Sequence, residues 1–122
     1  MNKKQYYITK AREMALKSPM DSRYGAILLY RGKIISYGYN DYCHKIRCLN
    51  ELCQKKYERF KYSKHAEIAC ITKCENKKII QDSTLMLIRI NKTGDIIDCE
   101  PCELCKKYIK KYNIKRVYLI TK

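Results

Sequence analysis

Two short stretches carry residue types that do chemistry. One is His65-Ala66-Glu67 and the other is Pro101-Cys102-Glu103-Leu104-Cys105. The second sets two thiols three residues apart, where Pro101 fits the first turn of a helix. A helix start offers free N–H groups and the positive end of the dipole, and both favour deprotonated sulfur. His65 opens another helical stretch. One imidazole and two thiolates leave one tetrahedral position of a zinc ion open, as a catalytic site requires. Water in an open zinc position ionises near neutral pH. Glu67, two residues from His65, is placed to take a proton from such water and return it to a substrate.

Taken singly, these pieces carry less. A Cys-x-x-Cys pair also serves as half of a structural zinc site or as a redox pair, and two buried thiols can simply fill a core. The weight lies in the combination: a His-x-Glu helix start, a strand, then a Pro-Cys-x-x-Cys helix start.

The elements that must position these residues are readable from period and punctuation. Tyr7, Ile8, Ala11, Met14 and Ala15 fall at three- and four-residue spacing, which predicts a helix over 3–17, stopped at Ser18-Pro19. The apolar run 25–30, the turn Arg31-Gly32 and the stretch 33–39 predict a β-hairpin. A helix over 65–75, a strand over 84–90, a turn at 91–95, a helix over about 102–112 and a strand over 116–121 follow. The order α-β-β-α-β-α-β predicts a layered α/β domain, with helices packed on a mixed sheet of about four strands. Residues 41–63 are a long connection, and long connections inside compact domains are commonly functional.

Length and composition set bounds. The 122 residues suit one domain over 1–122, and 46% hydrophobic with 32% charged residues excludes a disordered chain. No apolar run reaches the length of a membrane helix. The basic opening has no apolar stretch behind it, so an intracellular, cytoplasmic site with reduced thiols is expected for the eight cysteines. Lys plus Arg is 27 against 12 acidic residues, a net charge of +15. That excess draws phosphates. It also fits the compositional bias of an A/T-rich genome, since most of the basic residues are Lys and the chain is also rich in Ile and Tyr.

Over nearly its whole length the chain resembles the cytidine and deoxycytidylate deaminase superfamily. The resemblance rests on Tyr24-Gly25-Ala26-Ile27-Leu28, on Gly32 to Asn40, on His65-Ala66-Glu67-Ile68-Ala69, on Cys99 to Cys105, and on Lys115-Arg116-Val117-Tyr118. It implies a three-layer fold with helices on both sheet faces, here shortened at the C-terminus. It implies zinc held by His65, Cys102 and Cys105, with Glu67 as the catalytic proton carrier. It further implies that the Ala66 backbone N–H holds the base and that Asn40 reaches the sugar or base. His-Ala-Glu in place of Cys-Ala-Glu resembles the deoxycytidylate, tRNA-adenosine and polynucleotide cytosine branches. Ala69 departs from the Asn that deoxycytidylate deaminases commonly carry there.

The resulting expectation is a zinc-dependent hydrolase that deaminates a cytosine base to uracil in a (deoxy)cytidine nucleotide or nucleoside, assembled as a homo-oligomer. The alternative is a polynucleotide-editing deaminase acting on single-stranded DNA cytosine or tRNA adenosine, for which the charge and the tyrosines would provide a stacking track. Cys43, His44, Cys48 and Cys53 in the long connection are candidates for a second zinc. The other readings of this group are free thiols near the site, with His44 lining the pocket mouth.

Overall fold

The computed structural model describes residues 3–42 and 63–121. Helix α1, Lys3–Leu16, forms because Ala11, Met14 and Ala15 fall on one stripe and are buried there. Strands β1, Arg23–Tyr30, and β2, Lys33–Tyr39, make the expected hairpin. Arg31 and Gly32 both take positive φ, 50° and 78°, as a two-residue turn of this hand requires. The register between the two strands shifts at Leu28/Leu29, a bulge.

Strand β5, Thr84–Ile90, pairs antiparallel with β1 along its length, from Arg23↔Ile90 to Leu29↔Thr84. Strand β7, Arg116–Leu119, runs parallel to β5 from Thr84↔Arg116 to Leu87↔Leu119. The turn at 91–95 continues into a two-residue strand β6, Ile96–Ile97, which folds back on Arg89 and Ile90. Among the described residues the mixed sheet therefore has five strands and not four, in the order β2-β1-β5-β6 with β7 also on β5. Two short strands outside it, β3 at Asp41–Tyr42 and β4 at Ser63–Lys64, pair across the two ends of the long connection.

Side-chain alternation along the central strands divides the core between two faces. Ile27, Met86, Ile88 and Ile90 meet Ala11 and Ala15 of α1. Ala26, Leu28, Leu85 and Leu87 meet the opposite layer, with Ala66, Cys70 and Ile71 of helix α2, Ala66–Lys73, and Ile109 of helix α3, Glu103–Lys111. This is the expected three-layer arrangement with helices on both faces.

Helix boundaries differ from the sequence reading at the ends that matter. His65 and Cys102 are N-caps with extended backbone, so both lie just outside their helices. Pro101 consequently precedes the cap and is not in the first turn. Helix α2 closes at Lys73, where the Cys74 N–H donates to the Ile71 carbonyl. A 3-10 stretch, Lys77–Asp82, follows.

Helix α2 is seated directly on β2. A Cβ at Gly38 would meet the Ala66 carbonyl oxygen and stand 2.5 Å from the Cys70 nitrogen, so only glycine allows this approach. Ser36 Oγ donates to the Cys70 carbonyl at 2.5 Å and fixes the helix along the strand. Gly38→Ala is expected to destabilise the fold by about 1–3 kcal/mol, because backbone and not a flexible side chain would have to move. A denaturant titration against the parent protein measures it.

Candidate metal centre

The starts of α2 and α3 converge. His65 caps α2 and Cys102 caps α3, and neither side chain makes the usual cap bond to its own helix. Both therefore point out of the helix end. Cys105 lies one turn into α3, on the side of Cys102, and is buried. His65 Nδ1 stands 3.2 Å from Cys105 Sγ and 3.5 Å from Cys102 Sγ. The three donor atoms all lie within 4.8 Å of one another. Around zinc, with Zn–N near 2.0 Å and Zn–S near 2.3 Å, tetrahedral neighbours stand roughly 3.5–3.8 Å apart. The donor set fits one zinc ion in chemistry and in spacing.

The electrostatics give the same result. The Cys105 thiol is pushed far above the ordinary range, first by the neighbouring Cys102 sulfur, then by burial and by Glu67. Two sulfurs and a carboxylate in one buried spot cannot all be anionic without a cation among them. Glu67 is 3% exposed. Burial raises its carboxyl above the usual value, while a backbone hydrogen bond, His65 and Cys105 act against the shift. A carboxyl so placed exchanges a proton in a range where an exposed glutamate is already ionised. Leu104, packed with Ile68 and Cys102, covers one flank with apolar surface.

The other candidate residues are distributed as follows. Ala66 is the first residue of α2 and fully buried, so its N–H belongs to the first turn, which has no intrahelical acceptor. Asn40 is buried just past the end of β2. Its Oδ1 accepts from the Tyr24 N–H at 2.7 Å, and its Nδ2 donates to the Ser22 carbonyl at 2.7 Å and reaches Met20 Sδ at 3.4 Å. Its side chain thus ties the start of β1 to the end of β2. Cys43, His44, Cys48 and Cys53 lie outside the described residues. Cys70 is fully buried in the core, and burial pushes its thiol up to about 12, as for an inert packing residue.

Two further residues, Cys99 and Arg89, lie in stretches that the sequence analysis includes but to which it gives no individual role. Cys99 is half-buried, with its thiol pushed up to about 11 by burial; Glu67 adds to the shift and Arg89 opposes it. Arg89 is the next residue after Leu87 on the face of β5 that carries α2. Its only signal in the sequence is one charge inside the apolar run Leu87-Ile88-Arg89-Ile90.

Residues 1–121 match the family model described as the cytidine and deoxycytidylate deaminase zinc-binding region. The chain belongs to that family. It is a hydrolytic deaminase of a nucleobase, and zinc is its cofactor. No curated protein matches it. Solved structures share the fold. A deoxycytidylate deaminase from the cyanophage S-TIM5, in complex with dCMP and dUMP, aligns with TM-score 0.61 and 21% identity, over 95% of this chain and 79% of that one. A diaminohydroxyphosphoribosylaminopyrimidine deaminase/5-amino-6-(5-phosphoribosylamino)uracil reductase from Thermotoga maritima aligns with TM-score 0.59 and 20% identity, over 96% of this chain and 29% of that one. A guanine deaminase from Bacillus subtilis aligns with TM-score 0.57 and 20% identity, over 99% and 65%. No helix among the described residues of the deaminase is long and apolar enough to cross a membrane.

Elemental analysis of the purified deaminase is expected to give one zinc per chain from this centre. Cys105→Ser is expected to lose the metal and, with it, part of the fold's stability, because the binding energy of such a site is also folding energy.

Proposed function

We propose that the substrate is a cytosine base carried by a (deoxy)cytidine nucleotide or nucleoside, converted to uracil with release of ammonia. The observation that carries this reading is the buried Glu67 carboxyl standing against the His65, Cys102 and Cys105 donor set. The dCMP and dUMP bound to the cyanophage enzyme support the choice of base. His65, Cys102 and Cys105 would hold the zinc, which when bound supplies water activated for attack near neutral pH.

The chain's own residues do the rest. Glu67 takes one proton from the attacking water and delivers it to ring nitrogen N3. It then passes the second proton to the departing amine at C4, so that water enters and ammonia leaves in balance. A positioned carboxylate serves both directions of transfer. The Ala66 N–H, at the positive end of α2, donates to the base carbonyl. Asn40, held by its bonds to Tyr24 and Ser22, keeps one acceptor lone pair for a sugar hydroxyl.

A polynucleotide substrate is the second reading, favoured by the net charge of +15. We further propose that residues 1–122 act as one domain and that the protein is a homo-oligomer. Among the described residues β7 pairs only with β5, with Val117 and Tyr118 exposed, and such an edge is normally covered. Sedimentation at micromolar concentration should show a species larger than one chain, and a monomer alone would contradict the assembly.

The reaction is tested with cytidine, deoxycytidine, CMP, dCMP, dCTP, a tRNA anticodon stem and a single-stranded oligonucleotide, assayed side by side. Conversion of a mononucleotide or nucleoside, with modest salt dependence, is expected. Steep loss of affinity with salt on the oligonucleotide, about −0.7 in log–log slope per phosphate contacted, would favour the second reading. Glu67→Ala is expected to keep zinc and fold while losing about 10²–10⁴-fold in turnover. Activity within tenfold of the parent would assign the proton transfers to another residue.

A further inference from the structure

Arg89 occupies a position that packing alone does not account for. It follows Leu85 and Leu87 on the face of β5 that carries α2 and α3, one step beyond the Leu87–Ala26–Gly38 row on which the start of α2 rests. Its partner across the ladder is Tyr24, and its guanidinium lies over the Tyr24 ring, 5.4 Å from the centroid and within the roughly 6 Å reach of a cation–π contact. Arg89 Nε donates to Ser22 Oγ at 2.9 Å. Ser22 and Tyr24 are in turn both bound by Asn40. The guanidinium is therefore held by its Nε edge and one face, at the same rim as Asn40.

The rest of the group is uncommitted. Neither Nη atom has a hydrogen-bond partner among the described residues, and neither is buried. The ion pairs among those residues join Lys10 to Glu13, Lys92 to Asp21 and Lys106 to Glu103, and none includes Arg89. Arg89 is not among the groups that set the proton affinity of Glu67 either. A half-buried arginine, oriented by its neighbours but lacking an anion, presents two parallel N–H donors suited to a phosphate or carboxylate. Cys99 Sγ stands 3.8 Å from the Leu87 carbonyl oxygen, two residues before Arg89 on the same strand.

We propose that Arg89 is a substrate-binding residue that receives the phosphate attached to the sugar of the cytosine nucleoside, so that the enzyme selects phosphorylated over unphosphorylated substrate. This rests on the reading of a cytosine substrate given above. The phosphate is either the monoester of a mononucleotide or the diester of a strand, and the same fork accepts both.

The test measures kcat/KM for cytidine, deoxycytidine, CMP, dCMP and a single-stranded oligonucleotide with one cytosine, in the parent, Arg89→Ala, Arg89→Gln and Arg89→Lys. In the parent, the phosphorylated compounds should be preferred. The ratio of nucleotide to nucleoside kcat/KM should fall about 10- to 100-fold in Arg89→Ala and Arg89→Gln, mainly through KM, and recover in part in Arg89→Lys. A loss confined to CMP and dCMP identifies the monoester; a loss confined to the oligonucleotide identifies the diester. Ratios to nucleoside that are unchanged for the mononucleotides and for the oligonucleotide alike, or a parent that prefers neither phosphorylated form, overturn the proposal. Arg89→Gln can still reach Ser22 and so retains an anchor if the alanine variant fails to fold. Inorganic phosphate supplies a readout independent of the base: its binding, by calorimetry, should weaken at least tenfold in Arg89→Gln, and equal binding overturns the proposal. A parent that converts no cytosine compound but loses phosphate binding with Arg89 would overturn the choice of base and leave the phosphate site standing.

Discussion

Crowding of negative charge at the meeting of two helix starts is the constraint on which this structure turns. His65 and Cys102 cap α2 and α3, Cys105 follows one turn on, and Glu67 is buried beside them. The helix dipoles favour anions at this point, yet they are worth only about 0.3–1 kcal/mol each. Burial and the mutual repulsion of two sulfurs and a carboxylate are larger, which is why the Cys105 thiol and the Glu67 carboxyl both move up. A divalent cation reverses the balance for the sulfurs. Glu67 is left as the group whose proton can move.

The sheet exists, from this standpoint, to hold two helix ends in register. Gly38 lets α2 approach β2 at backbone distance, and Ser36 fixes it along the strand. Strand β5, paired to β1 over seven residue pairs, leads to the connection that delivers Cys102, and β7 returns parallel beside it after α3. Both faces of β5 are buried, so its alternation feeds two cores at once. Displacing α2 or α3 by a fraction of an ångström would open the donor set. Gly38, buried under α2, therefore bears on where His65 stands.

Much of this was legible in the sequence, and the exceptions have physical reasons. Strand β5 stands out because a strand buried on both faces reads as an unbroken apolar run, and the hairpin because Arg31-Gly32 tolerates positive φ. The metal ligands stand out because tetrahedral coordination imposes both residue type and spacing. The helix starts were misplaced by a residue because His and Cys are not the residues that usually cap helices; here they cap by position while their side chains serve the centre. Strand β6 was invisible because two residues show no period. Arg89 carries no role in the sequence, because a charge inside a strand does not say what faces it. Its meaning comes from Ser22 and Tyr24, which the fold brings to it from 67 and 65 positions away in the chain.

The claim that most depends on geometry is that the zinc has one imidazole and two thiolates from the protein and a fourth position open to water. X-ray absorption at the zinc edge of the purified protein reads this directly. The expected spectrum has two sulfur neighbours near 2.3 Å and two nitrogen or oxygen neighbours near 2.0–2.1 Å, one of which is replaced when a small anion is added. A closed shell of three or four sulfurs, unaffected by added anions, would mean a structural zinc and would contradict the catalytic reading of His65, Cys102 and Cys105.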